Sequence, residues 1–161
     1  MATTITPATL TVKVTETISL NGSAQGATNT FTIASVNEIY KRIVTCPASQ
    51  DTTVATFQTA TNTADNAIDL EDVRYIRLTN LDASNSINLS LQIAGGEDGA
   101  ANMSTTLLIE AGKSFIMGSP HDGIALDDDA AGIVTALTDL ESLLVDPSSN
   151  AVDVEVFIAS V

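Results

Sequence analysis

The sequence predicts an all-β protein, an antiparallel two-sheet β-sandwich, jelly-roll-like or Ig-like, with at most one or two short helices. Three observations carry that reading. Apolar and polar residues alternate in several stretches, most regularly in Ile87-Asn88-Leu89-Ser90-Leu91-Gln92-Ile93, and period two is that of a strand with one buried face. Thr, Val and Ile are plentiful while Lys, Arg and Glu are scarce, and β-branched side chains lose less rotamer freedom on a pleated sheet than in a helix. Turn formers punctuate the chain with no repeat or linker dividing it, so residues 1–161 read as one domain.

The first strand is Leu10-Thr11-Val12-Lys13-Val14, followed after a phase change by Ile18-Ser19-Leu20, which ends at Asn21-Gly22. Asn21 to Asn29, rich in small residues, reads as a loop before strand character resumes at Phe31-Thr32-Ile33-Ala34. Ile39 to Cys46 makes a longer strand that stops at Pro47, which lacks the N–H a sheet ladder requires. Thr53 to Phe57 is the next. Val73 to Thr79 and Ile87 to Ile93, joined by turn formers Asn80 to Asn85, read as a hairpin. Thr106 to Ile109 and Ser114 to Met117 read as a second hairpin, with Gly112 supplying its turn.

Asp127 to Leu144 is ambiguous. Leu137, Leu140, Leu143 and Leu144 form a helical stripe, with Asp127 to Asp129 placed at a helix start, so Ala130 to Val145 is where a short helix is sought. The other reading is a long excursion loop ending at Pro147. The chain closes on the alternating strand Val152 to Ile158.

Composition narrows the function classes. Hydrophobic residues make up 44% of the chain, too many for a disordered tail. Twenty acidic against six basic residues give a net charge of −14, which opposes nucleic acid and anionic lipid by Coulomb repulsion. Nine acids follow Lys113, the last basic residue, so the final third is purely acidic, either a solvated face or a complement to a basic partner. No apolar run approaches the roughly 20 residues that span a bilayer. The start of the chain lacks the basic and apolar regions of a secretory signal, and a protein kept in a cytoplasm until use is expected. The segment 1–9, free of charge and interrupted by Pro7, reads as an N-terminal arm.

No chemical motif in the chain is complete. His121, in the turn Ser119-Pro120-His121-Asp122-Gly123, is a lone histidine without a triad or ligand set. Gly112-Lys113-Ser114 resembles the end of a phosphate-binding loop, but Leu107 stands where that loop needs glycine. Asp127-Asp128-Asp129 and Gly95-Gly96-Glu97-Asp98-Gly99 offer oxygens to calcium without the spacing of a calcium loop. Paired carboxylates for glycoside hydrolysis would lack aromatic platforms, because the chain has no Trp and two Tyr. Cys46, the single cysteine, is expected to be buried and inert. Catalytic, cofactor and metal residues are therefore all expected to be absent.

The run Tyr75-Ile76-Arg77-Leu78-Thr79-Asn80-Leu81-Asp82, the strand Ile87 to Ile93 and the run Leu108-Ile109-Glu110-Ala111-Gly112-Lys113-Ser114-Phe115 together resemble small, Thr-rich virion proteins of tailed bacteriophages. The similarity covers roughly Val73 to Gly118. It implies a non-enzymatic capsid decoration or cement protein on the virion surface, assembled in the host cytoplasm and docked on the major capsid protein or another virion protein. It further implies a homo-oligomer, with a trimer favoured, and marks no interface residue. A tail, neck or fibre component is one alternative. A calcium- or carbohydrate-binding β-sandwich is the other.

Overall fold

A computed structural model describes residues 5–58, 67–93, 103–118, 124–126 and 138–161. In chain order the strands are β1 (Ala8–Thr15), β2 (Ser19–Leu20), β3 (Ser23–Ala24), β4 (Thr28–Val36), β5 (Glu38–Cys46), β6 (Thr52–Gln58) and β7 (Ile68–Asp69). They continue as β8 (Val73–Asn80), β9 (Ile87–Ile93), β10 (Met103–Ile109), β11 (Ser114–Gly118), β12 (Ala125–Leu126), β13 (Thr138–Asp146) and β14 (Val152–Ser160).

Two sheets face each other. One has the order β10-β9-β13-β6-β7, with β12 beside β13, and the other β11-β8-β14-β5. Every pairing in them is antiparallel except β6 with β7. The consecutive strands β5 and β6, β8 and β9, β10 and β11, and β13 and β14 lie in opposite sheets, so β5-β14-β8-β11 lies over β6-β13-β9-β10. That is the strand order of a jelly roll, the first of the two sandwich types expected. Val54, Phe57, Ile76, Leu78, Leu89, Leu143, Val154 and Val156 are among the buried side chains between the sheets. Tyr40 reaches across the gap from β5, donating its hydroxyl to the Val54 carbonyl at 3.1 Å.

Both expected hairpins are corrected. β8 pairs with β11 and β14, whereas β9 pairs with β10 and β13, so the turn after Thr79 crosses the core. The Gly112 turn crosses back. Alternation shows only that one face is dry, and a strand's inner face looks the same whether the next strand lies beside it or opposite it. Gly112 does supply the turn, with a φ of 68° and Lys113 N–H donating to Glu110 C=O.

The expected helix is corrected as well. Thr138–Asp146 is a strand, and among the described residues no helix occurs, while 127–137 lie outside them. The register of β13 shifts between Leu140 and Ser142 against β9 and between Leu143 and Leu144 against β6. A bulge adds a residue and reverses the face that follows it, so Leu140 and Leu143, three apart, are both buried. That spacing imitates a helical stripe.

A two-stranded ribbon of β1 and β4 forms a third layer. Its base packs Val12, Ile33 and Val36 on Tyr75 and Ala159, with Phe31 and Phe157 alongside. Tyr75 and Ala159 lie on the outer face of the second sheet, opposite Ile76 and Ile158, so β8 and β14 are covered on both sides around these residues, while Asp153 and Glu155 further along β14 stay open to solvent in whole or in part. Gly118 fits beneath this layer because a side chain there would press on the Phe31 ring.

Candidate functional site

Two surfaces stand out. The first is the ribbon beyond its base. Leu10, Val12 and Val14 share a face with their partners Ile33, Phe31 and Asn29, but the body covers this stripe only as far as Val12. Every residue from 13 to 30 is exposed. The ribbon continues past β1 through Glu16 N–H to Ala27 C=O and Gln25 N–H to Ile18 C=O, and closes at Asn21-Gly22. Both turn residues have positive φ, 52° and 78°, the geometry of a two-residue hairpin whose twist matches its strands. The expected loop over Asn21–Asn29 is corrected accordingly: β3 and the start of β4 fall within it. The signal in the sequence was Asn21-Gly22 itself, a strong two-residue hairpin marker. The expected N-terminal arm enters β1 at Ala8, and residues 1–4 lie outside the described residues.

The outer face of the second sheet flanks the ribbon's seat. Ile39 opposite Ala159, Ile43 opposite Glu155 and Ile116 opposite Arg77 all point outward and are exposed. Charges here are balanced locally. Glu155 pairs with Arg77 and, at 3.5 Å, with Lys41. The hydrogen bond from Arg77 comes first among the causes that hold the Glu155 carboxyl below its ordinary range.

The second surface is a shallow groove of about 270 Å³ on the outer face of the first sheet. Asn88, Ser90 and Gln92, the polar half of the alternating strand, line it with Ser104 and Thr106 from β10, and Asp51 and Asp146 also border it. Asp146 Oδ1 is shielded from solvent and has no hydrogen-bond partner. Amides and hydroxyls of this kind bind hydroxyl-rich ligands or an opposing polar surface at less desolvation cost than charges would.

His121, Asp127–Asp129 and Gly95–Gly99 lie outside the described residues. Among the described residues no three His, Cys, Asp or Glu side chains gather as a metal site. Lys113 and Ser114 sit at a sheet-to-sheet crossing. Cys46 is fully buried at the end of β5, where burial pushes its thiol upward. No family model matches the chain, and no curated protein or solved structure matches it.

Proposed function

We propose that the protein is a non-enzymatic structural component of a bacteriophage virion, a decoration or cement protein docked on the assembled shell. One observation carries this reading most directly: a jelly-roll body holds out an exposed two-stranded arm, residues 13–30, with apolar side chains along it. An isolated two-stranded hairpin is marginal in water, and an arm of this kind is suited to being covered by a partner. Jelly rolls also serve as virion shell domains, which adds a fold-level analogy. The partner is the major capsid protein or another virion protein, and the protein resides on the capsid surface after assembly in the host cytoplasm. A tail, neck or fibre position would use the same arm.

The test is to locate the protein in purified particles by mass spectrometry and particle imaging, then to measure retention after Leu20→Asp. Retention lost with the body still folded supports the reading. Absence from every particle refutes it. The polar groove favours a second reading, a carbohydrate-binding module, which would show as a glycan-dependent rise in melting temperature removed by Asn88→Ala.

A further inference from the structure

We infer that the arm is a self-association device: it seats on the uncovered outer face of the second sheet of another copy of this chain, while that copy's arm is seated in return. The inference goes beyond the virion reading and does not depend on it.

Three observations choose the occupant. The apolar stripe that anchors the ribbon runs off the body, leaving Val14 exposed and, further out, Ile18 and Leu20 at 55% and 61% exposure. The face on which the base rests also continues uncovered, with Ile39, Ile116 and Ile43, the last at 62% exposure, around the seat. Each copy thus carries an uncovered apolar arm and an uncovered extension of the kind of surface that already holds an arm's base.

Charge supplies the third. Residues 1–50 hold three basic and two acidic side chains, whereas residues 51–161 hold three basic and eighteen acidic. Two copies carrying −14 each repel over most of their surfaces. Contact is least opposed where charge is locally cancelled. Between residues 13 and 30 only Lys13 and Glu16 are charged, and the receiving face holds Glu155 between Arg77 and Lys41.

Area points to reciprocity. Nine residues per strand at about 3.3 Å each, two strands wide, give an arm face of roughly 300 Å². That is well short of the roughly 800 Å² per partner in a standard interface. A copy that gives one arm and receives another buries about twice as much, close to that class.

The test uses the full chain alone in solution. Sedimentation equilibrium should show a concentration-dependent oligomer. Leu20→Asp on the arm and Ile43→Asp on the face should each weaken it by about tenfold or more, since each buries an unpaired carboxylate, with circular dichroism unchanged. Because Cys46 is buried, Ile18→Cys or Leu20→Cys chains can be mixed with Ile43→Cys or Ile116→Cys chains under oxidised glutathione. At least one mixture should cross-link arm to face more than either variant alone. A monomer at all concentrations overturns the inference, as does an oligomer indifferent to both aspartates or a set of mixtures without cross-links. A monomer whose Leu20→Asp variant nevertheless falls off particles gives the arm to another virion protein, which overturns self-association and leaves the virion reading standing.

Discussion

Asn80 and Ile109 meet at one end of the sandwich, where the Asn80 side-chain amide donates to the Ile109 carbonyl at 3.3 Å. The same nitrogen donates to Glu110 C=O and Asn85 C=O, and the Asn80 side-chain oxygen accepts from Asp82 N–H. Asn80 N–H donates to Lys113 C=O. One fully buried polar residue thereby ties together two of the places where the chain crosses between sheets, β8 to β9 and β10 to β11. Asn80→Ala would remove the donor that the Asn85, Ile109 and Glu110 carbonyls share and the acceptor of Asp82 N–H, at an expected cost of about 2–3 kcal/mol. Urea unfolding should show a lower midpoint with an unchanged slope.

The arm is expected to fold and fail separately from the body. A side chain at Gly26 would run into the backbone carbonyl of Glu16, across the ribbon where Glu16 bonds to Ala27. Gly26→Val should speed proteolysis within residues 13–30 while changing the stability of the body by less than about 0.5 kcal/mol. Equal loss of both would show that arm and body form one cooperative unit.

Acid should weaken the outer face of the second sheet. The Glu155 carboxyl is lowered on folding from its ordinary value of 4.5, first by the hydrogen bond from Arg77 and then by the charges of Arg77 and Lys41. A carboxyl lowered in this way stabilises the fold fully above its unfolded value and loses that contribution as pH falls through the folded one. Melting curves of the protein and of Glu155→Gln should therefore differ most near neutrality and converge below about pH 4.5. Added salt should shrink the difference, because the pair is partly exposed.

Cys46 should resist thiol reagents. It is fully buried beside Pro47, and burial holds its thiol above the ordinary range. With an aromatic disulfide reagent at neutral pH, modification should proceed at the rate of opening of the fold and become complete only in denaturant. Immediate stoichiometric reaction would contradict this placement.

The alternating strands were legible because each buries one face: Ile87, Leu89, Leu91 and Ile93 are inside, and Asn88, Ser90 and Gln92 line the groove. Which strands pair was not legible. Alternation records burial and not the neighbour, so Thr79 and Ile87 looked like the two sides of a hairpin while lying in opposite sheets. The Leu140–Leu143 spacing misled for a different reason, since a bulge is set by the register of β9 and β6, far away in sequence. In the arm, small residues concealed a ribbon that only Asn21-Gly22 announced. Its exposure has no sequence signature, because Ile18 and Leu20 alternate as buried residues do.

The double covering of β8 and β14 makes the chain uneven in how readily its amides exchange with solvent hydrogen. Both strands are paired along each edge and, around Tyr75 and Ala159, shielded on both faces, so their amides there should be released only by opening of the whole body. Amides of residues 13–30, bonded across a single exposed ribbon, should exchange many orders of magnitude sooner. The most protected segment meets the buried base of the ribbon at Tyr75 and Val12, within one apolar cluster, one residue short of the least protected segment. A partner that covered the arm would therefore be read out as slowed exchange in those eighteen residues, against a core whose exchange is already slow.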